Sequence, residues 1–185
     1  KELVLTAGAA VNDKGVNPAN QQGEFTAMHF AAALGHAELC ELLVKHGGLA
    51  NEKSSEGETP IHEAARSGHT DVVLVLVNAK ASVNEPNVRG ISPLLQATIA
   101  VPPREEAFLA LVAAKANLEA TDAQQMGQTA LHKTCDLSET MWGVAAMQAE
   151  MQGYDLSAAV GSITDHIPAY SRMCASLVAA KAALE

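Results

Sequence analysis

The longest run of bulky apolar residues, uninterrupted by alanine, is Val72 to Val77. Taken alone, this β-branched block reads as a buried strand. Its counterpart 33 residues earlier, Leu39-Cys40-Glu41-Leu42-Leu43-Val44, is helical in character. Upstream of the run, Thr59-Pro60 is a helix start: a hydroxyl that can cap, then a proline tolerated in the first turn. Ala64 and Ala65 keep that first helix thin, and Gly68 supplies a cap and a turn. Asp71 sits where the positive end of a second helix favours it. The polar stretch from Asn84 to Gly90 is then a turn-rich connection. The pattern predicts two short helices and a polar loop, with Val72–Val77 inside the second helix.

This unit recurs. Thr26-Ala27-Met28-His29 steps to Thr59-Pro60-Ile61-His62 by 33 residues, and Gly35-His36 steps to Gly68-His69 by the same 33. Asn51 to Asn84 and Gly57 to Gly90 repeat the step. Ser92-Pro93-Leu94-Leu95 fills the next motif slot, and Thr129-Ala130-Leu131-His132 the one after, delayed by four residues. Endings match too: Ala79-Lys80-Ala81, Ala114-Lys115-Ala116 and Ala180-Lys181-Ala182. One such unit cannot bury its apolar face alone, so stacked neighbours must create the core.

These residues carry a resemblance. Gly57-Glu58-Thr59-Pro60-Ile61-His62-Glu63-Ala64-Ala65-Arg66-Ser67-Gly68-His69 resembles the ankyrin-repeat motif. The resemblance implies an all-α fold: a solenoid of stacked helix-turn-helix units with β-hairpin-like loops. It implies a single ankyrin-repeat domain over 1–185, with a partial repeat at 1–19 and repeats at 20–50, 51–83, 84–118 and 119–184.

Composition agrees with packed helices. Aromatic residues are only 3% of the 185, against 35 alanines, too few rings for a usual sandwich or barrel core. The hydrophobic share of 48% argues against disorder. The formal charge is −9, and the four arginines are scattered along the sequence. No clustered basic face is legible, so no nucleic-acid partner is expected. No run approaches the ~20 apolar residues of a membrane span. Three widely spaced cysteines form no disulfide framework, which makes a reducing compartment the default: the cytoplasm, or alternatively an organelle interior. The chain starts at Lys1, and neither end shows a polar capping repeat. Further chain, or a partner over the ends, is therefore expected.

Three departures stand out. Asn12 to Gly23 is longer than the equivalent Asn51 to Gly57. Repeat three has Leu95 in place of the motif histidine, and Val101-Pro102-Pro103 where Gly-His is expected. Repeat four carries an insertion near 136–166, expected to be helical, with Leu137, Met141, Val144, Met147 and Met151 at helical spacing. It holds the only tryptophan, Trp142, and Tyr154. It either folds back on the array or projects as a docking element.

The candidate chemistry is thin. His29, His62 and His132 share one slot, in which the resemblance implies hydrogen bonds that tie the repeat together. Cys40, Val73, Phe108 and Cys174 share a slot that accepts valine and phenylalanine, so its thiols read as packing residues. No metal spacing, phosphate loop or acid–base pair emerges, so no catalytic residue, cofactor or metal is expected. Asn51 and Asn84 read as turn asparagines.

The resemblance implies protein binding through hairpin tips and the exposed face of helix one. Mapped here, that strip is Leu34; Ser55, Glu56, Glu58, Arg66 and Ser67; Val88, Arg89, Ile91 and Ile99; and Gln125, Met126 and Gln128. On the opposite, convex face the slot of Glu41 becomes Leu74, Leu109 and Ala175, an apolar stripe that would mark a second interface. Two functions follow. One is a non-catalytic interaction module or scaffold using the strip. The alternative is a permanent subunit of a larger assembly, organellar and photosynthetic or respiratory, that docks through the stripe and insertion: Leu74, Leu109, Met141, Trp142, Met147, Met151 and Tyr154.

Overall fold

A computed structural model describes residues 11–16, 24–102, 104–121, 127–130, 132–133, 172–173, 175–176 and 179–180. The insertion near 136–166, with Met141, Trp142, Met147, Met151 and Tyr154, lies outside the described residues, as do Gln125 and Met126.

Among the described residues, six helices run in three pairs: α1 (Ala27–Ala33) with α2 (Ala37–Lys45), α3 (Pro60–Ser67) with α4 (Thr70–Asn78), and α5 (Pro93–Ile99) with α6 (Glu105–Ala113). The first helices pack in one row, α1 on α3 on α5; the second helices form another, α2 on α4 on α6. A short ribbon precedes them, β1 (Gly15–Val16) antiparallel to β2 (Glu24–Phe25), with Gly15 opposite Phe25. An antiparallel bridge outside this ribbon joins Thr121 to Thr129.

Local chemistry sets the ends. Thr26, Thr59 and Ser92 take extended backbone at the N-caps, and Pro60 and Pro93 occupy the first turns. Gly68 caps α3 in the left-handed region, at φ 84°. The apolar block resolves as expected from the repeat: Val72, Val73 and Leu76 of α4 are buried at helical spacing, and Leu74 points out. β-Branching is overridden because the rows on either side bury one helical stripe. Small residues let the rows approach: Ala31, Ala32, Ala64, Ala65 and Ala97 are buried.

The slot shared by Cys40, Val73 and Phe108 is wholly inaccessible in all three. Burial pushes the Cys40 thiol up to about 11, so it stays protonated and packs as a small hydrophobe.

Candidate protein-binding strip

The strip is held by hydrogen bonds that recur with the repeat. The Thr59 backbone N–H donates to His62 Nδ1 at 3.2 Å, and the Thr59 hydroxyl lies 2.9 Å from the same nitrogen. A backbone N–H can only donate, so Nδ1 must be the acceptor and the proton sits on Nε2. That Nε2–H donates to the Ile91 carbonyl, 3.1 Å away in the next unit. His29 repeats the geometry on Thr26 and on the Glu58 carbonyl, at 3.2 and 3.0 Å. Burial holds both imidazoles below their ordinary pKa, which keeps them neutral. Leu95 fills this slot in the third unit and has no donor; Ser92 Oγ instead accepts the Leu95 N–H at 3.3 Å.

The asparagines act as struts. Asn51 Oδ1 accepts the Ser82 N–H at 2.7 Å and its Nδ2 donates to the Lys80 carbonyl at 3.3 Å. Asn12 does the same to Leu49 and Gly47, and Asn84 Oδ1 accepts the Asn117 N–H.

These ties correct part of the expected strip. Glu58 and Ile91 are 4% and 7% exposed, not surface residues. They share one slot, the residue whose carbonyl receives the histidine, and that bond draws the backbone inward. Asn87 Oδ1 further pins Ile91 by accepting its N–H at 3.0 Å. Of the other expected residues, Leu34, Ser55, Glu56, Arg66, Val88 and Arg89 are exposed. Ser67, Ile99 and Gln128 are half-buried. On the other face Leu74 and Leu109 are 48% and 38% exposed, so no described residue covers the apolar stripe.

The strip also contains chemistry that sequence reasoning missed. The Glu58 carboxylate faces two arginines, Arg89 Nη2 at 3.6 Å and Arg66 Nη1 at 3.9 Å. Asn87 Nδ2 donates to Glu58 Oε1 at 3.3 Å, and Arg66 also pairs with Glu63. Glu63 is buried, and its Oε1 has no partner among the described residues. Burial, then a hydrogen bond to Glu58, raises the Glu63 carboxyl to about 7, with Arg66 pulling the other way. A carboxyl protonated near neutrality can donate to Glu58 and so satisfy both.

A third arginine joins them. His69 packs on Gly35 and its Nε2 donates to the Ala33 carbonyl at 3.1 Å. Arg104 takes that place one unit on: it lies over Gly68, and its Nε donates to the Arg66 carbonyl at 3.2 Å. The Pro-containing segment therefore keeps the Gly-His contact with a guanidinium. The signal was available: Arg104 follows His69 by 35 residues, the period plus the two added there. Three arginines scattered in sequence thus gather along α3.

Among the described residues no three His, Cys, Asp or Glu side chains are placed to hold a metal ion. No described helix is long and apolar enough to cross a membrane.

Comparison with known proteins agrees with the architecture. Residues 1–88 match the ankyrin-repeats family, in three copies. An ankyrin repeat-containing protein of Schizosaccharomyces pombe is 38% identical over 50 residues, 26% of this chain and 24% of that protein. The aligned region thus spans about a quarter of that relative's length. With the recurring helix pairs and histidine ties, these matches show ankyrin repeats in residues 1–88, and the helix pair beyond them continues the same array.

Proposed function

We propose that this chain is a non-catalytic protein-interaction module that holds its partner on the strip formed by the loop tips and helix-one faces of successive repeats. Ankyrin repeats generally serve protein interaction and are as a rule non-catalytic. One observation carries the reading. The strip is rigidly braced by the buried His29 and His62 ties, yet it displays Leu34, Val88, Arg66 and Arg89 to solvent. Rigid scaffold beneath and mixed polar and apolar side chains above is what a non-obligate interface requires.

A second reading has its own observation. Leu74 and Leu109 are exposed at equivalent places on neighbouring second helices. A permanent subunit would bury such a stripe against its assembly. Quantitative mass spectrometry of complexes purified from the native cell separates the two. Leu34→Asp with Val88→Asp should deplete the partners if the strip binds them, and Leu74→Lys with Leu109→Lys should not. The opposite pattern makes the chain a fixed subunit and refutes the module.

A further inference from the structure

We propose that the ridge of Arg66, Arg89 and Arg104 receives an acidic, amphipathic segment of the partner protein. Its carboxylates would rest on the guanidiniums and its apolar residues on the valines beside them. The proposal rests on the strip reading above and names the chemistry the strip selects.

Burial at the ridge is asymmetric. Arg66 and Arg89 have side chains 48% exposed, whereas Glu58 and Glu63, the acids they face, are 5% and 3% exposed. The acids that face the guanidiniums are inside and the guanidiniums outside, with Glu56 an exposed acid beside Val88 at the edge of the ridge. Three of the chain's four arginines sit here, in a protein of formal charge −9. A local field of opposite sign to the whole molecule directs anionic groups to one place.

The guanidiniums are also preorganised. Glu58 lies within 3.9 Å of both Arg66 and Arg89, and Arg104 is bound at Nε to the Arg66 carbonyl. The Nη groups of Arg104 have no partner among the described residues. The buried carboxylates thus fix the forks before a ligand arrives, and a fixed planar fork suits a carboxylate.

Exposed apolar side chains beside the arginines favour a protein segment over other anions. Val88 adjoins Arg89 and Val101 precedes Arg104 by three residues; both are exposed. Leu34 occupies the Ser67 slot one repeat earlier and is exposed as well. Apolar neighbours offer nothing to a sugar-phosphate backbone, and the remaining surface charge repels it. A phosphate dianion would also lie above two acids, where a single carboxylate is repelled less.

The test is fluorescence anisotropy of labelled peptides titrated with the full chain. A peptide of alternating Asp and Leu should bind about tenfold or more tightly than the same peptide with Asn for Asp. Salt raised well above physiological strength should weaken it, because the guanidiniums are exposed. Arg89→Gln should cost about tenfold in affinity with the helical circular dichroism unchanged. Arg66→Met leaves buried acid behind, so it is made together with Glu63→Leu, and should cost as much. Leu74→Asp should leave binding unchanged. Three results overturn the proposal: variants that bind like wild type, an Asn peptide that binds equally, or a phosphoserine–Leu peptide that binds more tightly than the Asp peptide. If these fail while the strip still captures its native partner, the acidic specificity alone is wrong. If the strip captures nothing, the reading beneath it is wrong too.

Discussion

Replacing His62 with leucine should loosen the array at one identifiable joint. The imidazole is inaccessible and joins Thr59 at Nδ1 to the Ile91 carbonyl at Nε2. His62→Leu deletes the donor to Ile91 and the acceptor for the Thr59 N–H. Each lost bond is worth about 1 kcal/mol net, and a buried group left unpaired costs about 1–3 kcal/mol. Leucine returns part of this as apolar burial, and Leu95 shows that the slot accepts its shape. The balance is a loss of about 2–3 kcal/mol, or roughly 5–10 °C in Tm for a domain of this size. The assay is urea unfolding followed at 222 nm, with amide hydrogen exchange read along residues 85–92. Exchange should quicken first at Ile91, because its loop is no longer drawn to α3. A variant as stable as wild type, with Ile91 equally protected, would show that the histidine bridge does not hold adjacent repeats together.

Other outcomes follow from the same geometry. In the pH dependence, His29 and His62 have lowered folded pKa values. Their stabilisation is complete above the unfolded value and is lost as pH falls below it, at up to about 1.4 kcal/mol per pH unit each. Glu63, raised to about 7, acts oppositely, its stabilisation being present at low pH and lost as pH rises toward 7. Between the ordinary glutamate and histidine pKa values the two effects oppose, so Glu63→Gln should steepen the acid loss of urea midpoint; an unchanged slope would contradict the assignment. Glycine substitutions should rank by what a new Cβ meets. Gly35→Ala presses on the rigid His69 ring at 2.6 Å, whereas Gly47→Lys meets nothing within 4 Å and puts lysine where Lys80 and Lys115 already stand at positive φ. The first should cost about 2–4 kcal/mol and the second about 1 kcal/mol, both by urea titration. Lys80→Gly should stabilise by roughly 0.5 kcal/mol, because relief at φ 64° outweighs the added chain entropy; a loss of stability would refute that.

The period carried most of the fold. Once Thr26, Thr59 and Ser92 are aligned, the helix starts follow, and Val72–Val77 reads as a helix despite its β-branching. Side-chain burial at the loop ends did not follow. Glu58 looks like a surface residue in sequence because glutamate normally is one. It is buried because its own carbonyl is the target of His29, and because Arg66, Arg89 and Asn87 converge on its carboxylate. The arginine ridge was invisible for a related reason: Arg66, Arg89 and Arg104 come from a helix, a loop and a helix N-cap, which only the stacking brings together. Leu74 and Leu109, by contrast, were legible as an outward stripe from slot alignment alone.

The most direct test of the account is site-specific photocrosslinking in the native cell. A benzophenone side chain is placed at Val88 on the strip or at Leu109 on the opposite face, and the adducts are identified by mass spectrometry. The account predicts a discrete protein adduct at Val88 that disappears when Arg89→Gln is added, and no comparable adduct at Leu109. A strong adduct at Leu109 with none at Val88 would contradict it.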